Sequence, residues 1–323
     1  MPDRPQLPKR QVQPPSPVPL SAVPLPSAPL RVRVSRTFDA RMPAVAVLRR
    51  AEIKGARTWR RSPAARQRAR ASMQAIVGQT ARAGECEPLA RLHLIEEGVR
   101  EALLRRRWQL PSADRRSLER LRRAVASRRG VLLSTAHLGP YQLMPGLGYM
   151  VGSPLTVVAD PWLFEEPSRD EWGRRLAHWR TQLATFSASA IPARGSFEAV
   201  VELLTKGRVV HIHFDMPGRH ETRFLGKPVM LADGSARVAK VSGALVLAVR
   251  PRRIGHRVWM DVDEAIDPEE FADAALLHTE LALRHEAWIL EQPYALEDPR
   301  RPGAWEEQAT ATGWPLPARR SGR

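Results

Sequence analysis

Four short apolar runs limit the folds open to this chain more than any other feature: VLLSTA (131–136), PLTVVA (154–159), RVVHIHF (208–214) and ALVLAVR (244–250). They are rich in β-formers and too short to be helices of their own. The segments between them have helical spacing. In 195–206, Phe197, Val200, Val201 and Leu204 fall on one face, and Lys206-Gly207 closes the run. Residues 141–151, 235–243 and 268–288 also read as helical. Strands alternating with helices predict an α/β domain, with a mostly parallel central sheet and helices on both faces.

Upstream of 131 the pattern is helical and basic. Leu89, Leu92, Ile95, Val99 and Leu103 recur at three- and four-residue spacing, which predicts a helix over 88–108. Ser62-Pro63 reads as a cap followed by proline at the first helical position. Ser112 is read as the cap of a helix to about Arg129, stopped by Gly130. Residues 1–30 hold ten of the 29 prolines, a density that excludes helix and central strand. The expected division is a disordered Pro-rich tail (1–40), a basic helical region (41–130), an α/β core (131–298) and a flexible C-terminal tail (299–323).

The net charge of +17 favours anionic partners, although an Arg-, Ala- and Pro-rich background accounts for part of it. No helix-turn-helix, zinc-finger or aromatic RNA-binding motif accompanies the charge, so no nucleic acid is expected. An anionic membrane surface is a further expected partner, met by the basic helix within RTWRRSPAARQRARASMQAIVGQ (57–79). The single cysteine, Cys86, excludes an intramolecular disulfide framework and fits a reducing cytoplasm. No run of about 18 apolar residues is present, and the proline-interrupted N-terminal stretch does not read as a secretory leader. A cytoplasmic protein, peripheral at the inner face of the membrane, is expected.

The chemistry concentrates in TAHLGPYQ (135–142). His137 stands just beyond a strand, where reactive groups gather in parallel sheets, and Gly139-Pro140 forces a turn. A histidine so placed can take a proton from an alcohol or amine. A second cluster, Arg219, Arg223 and Lys227, follows the strand at 208–214 in an expected loop and suits a phosphate.

HLGPYQ (137–142) resembles the H-x-G-N-W-E form of the H-x4-D/E motif in the lysophospholipid acyltransferase superfamily. The branch is that of the late acyltransferases of lipid A synthesis and their phosphatidylinositol mannoside acyltransferase relatives. Three further blocks follow in the family's order: Arg194-Gly195-Ser196 with the helix after it, the run 211–253, and HEAWILEQP (285–293). The resemblance implies an acyltransferase-type sheet and transfer of an acyl group from a thioester, acyl-CoA or acyl-carrier protein, to a hydroxyl or amine. The acceptor would be a lipid, glycolipid or specialised metabolite, and the thioester a co-substrate with no further cofactor. By the same resemblance His137 is the general base, Gln142 occupies the acid position, Arg194 and Gly195 match the acceptor- or phosphate-binding block, and Asp215 and Arg223 fall in the third block.

Gln142 departs from the family, as do Pro140, Tyr141 and a proline-rich tail where many relatives carry a membrane helix. An amide orients an imidazole but does not balance its charge. Weak activity, an amine acceptor, a non-catalytic acyl- or lipid-binding remnant, or a carboxylate supplied by Asp160 or Asp215 each fit this substitution. A rival reading comes from HIHFD (211–215): on a strand, His211, His213 and Asp215 would share one face, as in zinc hydrolases. There Met216 replaces a further histidine, and no metal is assigned.

Overall fold

The computed structural model describes residues 18–19, 43–104, 110–160, 163–164 and 171–297. The expectations for the rest of the Pro-rich tail, for residues 105–108 and for the tail from 299 lie outside the described residues.

The strands are β1 (Val18–Pro19), β2 (Val131–Thr135), β3 (Leu155–Ala159), β4 (Ser189–Pro192), β5 (Val209–His213), β6 (Pro217–Phe224), β7 (Lys227–Leu231), β8 (Leu245–Ile254) and β9 (Arg257–Val262). The helices are α1 (Ala44–Arg61), α2 (Pro63–Val77), α3 (Cys86–Leu104), α4 (Arg115–Ala126), α5 (Met144–Met150), α6 (Glu171–Thr185), α7 (Phe197–Thr205), α8 (Gly234–Ser242) and α9 (Ala274–Glu291). Seven strands form one sheet in the order β1-β4-β3-β5-β2-β8-β9. The five from β4 to β8 run parallel. β1 and β9 are antiparallel and lie at the two edges, β1 with a proline that only an edge accommodates. The fold is therefore α/β with a mostly parallel, mixed sheet.

Alternation along the strands sends successive side chains to opposite faces. Leu132, Val210 and Val246 join one apolar core, with residues of α2, α3, α7, α8 and α9. Val131, Leu133, Val209 and Leu247 join a second, with residues of α1, α3, α4 and α5. Leu132 and Leu133 are wholly buried, and each contributes about 2 kcal/mol by leaving water. Among the described residues no helix is long and apolar enough to cross a membrane.

Local signals explain several ends. Ser62 Oγ accepts from the Ala65 N–H at 3.2 Å, and Pro63 opens α2. The cap of α4 is Asp114, whose side chain accepts from the Ser117 N–H at 2.6 Å. Ser112 was expected there, but it pairs instead with Trp259 beside β9, two residues too early to serve. The loop expected to hold Arg219, Arg223 and Lys227 is a hairpin of β6 and β7. On β6, Arg219, Glu221 and Arg223 are exposed, while Thr222 and Phe224 are buried.

Candidate active site

β2 and β5 are neighbours in parallel register, with Thr135 opposite His213. His137 and Asp215 each lie two residues beyond that pair, so equal offsets bring them together past the carboxyl ends of two adjacent strands. The Phe214 N–H donates to the Thr135 carbonyl at 2.7 Å and extends the ladder by one step. The site occupies the position that parallel sheets reserve for chemistry.

Asp215 holds His137 twice. Its Oδ1 lies 2.7 Å from ring Nδ1, and its Oδ2 accepts the His137 backbone N–H at 3.1 Å. The carboxylate is wholly buried and the imidazole side chain is 9% exposed, so the ring is largely but not wholly enclosed. A buried carboxylate is tolerated only when it is paired and hydrogen-bonded, as here. With Nδ1–H given to the carboxylate, the lone pair sits on Nε2, the tautomer of a general base whose imidazolium the acid then stabilises.

Gln142 stands elsewhere. Its Nε2 donates to Glu297 Oε1 at 3.4 Å, and the Tyr141 hydroxyl donates to the same carboxylate. The acid-position expectation for Gln142 is therefore corrected: the 3-10 turn Tyr141–Leu143 carries its side chain toward the C-terminal segment. Asp160, the other candidate carboxylate, follows β3, one strand beyond β5.

The loop after β2 is clamped by residues 293–297. The Gly139 N–H donates to the Ala295 carbonyl and the Glu297 N–H to the His137 carbonyl, both at 2.8 Å. Gly139 has φ +57°, and a Cβ there would lie 2.7 Å from the Pro251 carbonyl oxygen. Only glycine meets both demands. From α3, buried Arg100 donates to the Ala295 carbonyl at 2.7 Å, and His93 Nδ1 lies 2.9 Å from that of Tyr294.

Five histidines line the two faces of the β2–β5 pair. On one, His213 stacks on His137 with ring centroids 3.7 Å apart and planes 25° from parallel. Thr135 Oγ1 lies 2.7 Å from His211 Nε2 and 3.1 Å from His213 Nδ1. Burial pushes His211 down to about 3, with His137 adding a smaller push. On the other face His285 meets Ser134 Oγ and His278 meets Thr222 Oγ1, each at 2.9 Å. Burial holds both near 4, and Phe214 stacks between them.

His137, His213 and Asp215 each bring one ligand atom within 4.8 Å of the others. The set differs from the one expected on the HIHFD strand. β5 ends at His213, so Asp215 is not on the strand face, and His211 is turned to Thr135. The stacked rings aim their nitrogen lone pairs along nearly parallel planes, and convergence on a tetrahedral ion would require them to unstack.

Arg194 and Gly195 are exposed in the turn between β4 and α7, at the same edge of the sheet as His137. β4 lies two strand steps from β5 and three from β2, about 10 and 14 Å away across the sheet. Arg219 and Arg223 project from the outer face of β6. Sequence reasoning had left out Thr135, Glu297 and Arg100; the only signal for the first was its place opposite a histidine in a neighbouring strand. No protein-family model matches this chain, and no curated protein matches it in sequence.

Proposed function

We propose that the protein is an acyltransferase, carrying an acyl group from a thioester, acyl-CoA or acyl-carrier protein, to a hydroxyl or amine. The observation that carries this reading is the His137–Asp215 pair beyond adjacent parallel strands, with the carboxylate on Nδ1 at 2.7 Å. His137 Nε2 removes the acceptor's proton as the acceptor attacks the thioester carbonyl, and Asp215 balances the imidazolium. The sulfur leaves as thiolate and takes that proton from His137. Asp215 thus supplies what Gln142 lacks, and full activity no longer depends on a carboxylate at 142.

Arg194 and Gly195, two to three strand steps away along the carboxyl ends of the strands, are assigned to an anionic part of an extended substrate. Arg219 and Arg223 are assigned to donor or carrier phosphate in the same reading. The acceptor is taken to be a lipid, glycolipid or specialised metabolite, met in the cytoplasm or at the inner membrane face, where the basic N-terminal helices suit acidic head groups. The acyltransferase-type identity of the sheet belongs to the same proposal.

The test is thiol release from a panel of acyl-CoA donors of different chain length, with products followed by mass spectrometry. His137→Ala is expected to reduce thioester-dependent acylation to background. An unchanged rate would remove His137 from the mechanism, and donor binding without release in the wild type would favour a non-catalytic acyl-binding protein.

A further inference from the structure

A base must be met by its substrate, yet the His137 side chain is only 9% exposed. Of the groups set against its ring, Asp215 holds Nδ1 and is wholly buried, and His213 covers one face and is buried too. Tyr141 is half-buried. Its ring centroid lies 4.7 Å from that of His137 and 4.8 Å from that of His213, while those two are 3.7 Å apart. Such nearly equal distances place Tyr141 along the edges of the stacked pair; on the far face of His137 it would stand much farther from His213. Its plane is turned 73° and 89° from theirs, a T-shaped contact of modest strength. The hydroxyl end is tied to the Glu297 carboxylate, which also accepts from Gln142 Nε2 at 3.4 Å. Glu297 in turn is fixed by its own backbone N–H on the His137 carbonyl at 2.8 Å. The residue that holds Tyr141 is thus anchored to the residue that Tyr141 covers.

We propose that Tyr141 is a gate, a ring that closes the solvent side of the His137–His213 stack, with Glu297 as its latch. The inference rests on the acyl-transfer reading, in which substrate has to reach His137. Tyr141 opens the 3-10 turn Tyr141–Leu143, and Pro140 before it is buried. The swing therefore belongs to the side chain, by a change of rotamer, and leaves the backbone clamp of 293–297 in place. Opening gives up the bond to Glu297, and closing behind bound substrate keeps water from the thioester. Without the gate, water competes with the acceptor. Its oxygen bonds to the carbonyl carbon, the C–S bond breaks, and the proton taken by His137 passes to the departing thiolate, leaving a free acid and a thiol.

The test is the rate at which diethyl pyrocarbonate modifies each histidine of the full chain at neutral pH, read by peptide mass spectrometry and independent of turnover. Exposed His256 gives the rate of an open imidazole, and His93, held on the Tyr294 carbonyl, reports release of the strap. Wild-type His137 is expected to react roughly 10–100-fold more slowly than His256, the factor by which a hydrogen bond to a charged group favours the closed ring. Tyr141→Phe keeps the ring and loses the latch, and Glu297→Ala loses the latch from the other side. Each is expected to recover most of that difference with His93 unchanged. Tyr141→Ala removes the ring; it is expected to bring His137 to the His256 rate and to increase thiol release from palmitoyl-CoA without acceptor. A wild-type His137 as reactive as His256, or variants no more reactive than wild type, overturns the proposal. So does His93 rising in step with His137, because the strap rather than the ring would then be moving. A wild type that releases no thiol with any acceptor defeats the acyl-transfer reading, while the histidine rates still decide the gate.

Discussion

Asp215 meets His137 through both carboxylate oxygens, one on the ring at 2.7 Å and one on the backbone N–H of the same residue at 3.1 Å. The second bond fixes the acid to the main chain, so the ring cannot drift without the carboxylate following. Asp215→Asn keeps the shape and loses the charge. It is expected to lower kcat for thioester turnover by roughly 10³–10⁴-fold, the scale seen when the acid of a serine-protease triad is made an amide. A loss under tenfold would remove Asp215 from the base's support.

Gln142→Glu restores the acyltransferase motif on paper, and from the motif alone it would be expected to raise activity. The geometry reverses that expectation. The new carboxylate would face that of Glu297, which the Gln142 amide now meets at 3.4 Å, while Asp215 already holds the His137 ring. A buried carboxylate beside the half-buried Glu297 is destabilising, so a loss of about 1–3 kcal/mol in urea unfolding is expected, with no gain in turnover. Increased kcat would show that residue 142 does reach the imidazole.

Gly139→Ala combines a left-handed backbone with a Cβ 2.7 Å from the Pro251 oxygen. A stability loss of about 1–3 kcal/mol is expected, along with reduced turnover, because the loop that carries His137 must shift. A melting temperature within a degree of wild type would count against the tight turn.

Acid should weaken the fold before it titrates ordinary carboxylates. His278 and His285 are held near 4 by burial, whereas an unfolded chain protonates them near 6.5. The folded values are the lower ones, so the unfolded state binds more protons as pH falls. Their stabilisation is complete above about pH 7 and is lost between about 6.5 and 4, on the order of 3 kcal/mol for each by pH 4. Urea midpoints at pH 7.5, 6 and 5 are the measurement, and equal midpoints would contradict neutral burial.

The four apolar runs were enough to place β2, β3, β5 and β8, because three of them carry two or three Val or Ile residues in a short apolar stretch and the other is flanked by clear breakers. β4 was not legible: Ser189-Ala190-Ile191-Pro192 has one β-branched residue and ends in proline. β6 was missed for a related reason, since PGRHETRF alternates charge with small or aromatic groups rather than with aliphatics. His137 was found because a histidine after a buried strand is a local pattern. Its partner was only one of two candidates, because choosing Asp215 over Asp160 requires knowing that β5 lies between β3 and β2. That order is a long-range property, set by which faces the helices cover, and no short window of residues contains it. The contact of Thr135 with His211 was hidden for the same reason, since the two meet only across strands.

The grip of Arg100 and His93 on the carbonyls of Ala295 and Tyr294 has a consequence for biogenesis. A nascent chain that has emerged only as far as α9 already owns the sheet and both members of the dyad. It still lacks the short stretch that pins the loop beneath the imidazole. The loop that carries the imidazole is therefore complete only once residues 293–297, with Ala295 and Leu296 in the core, have seated against the third helix.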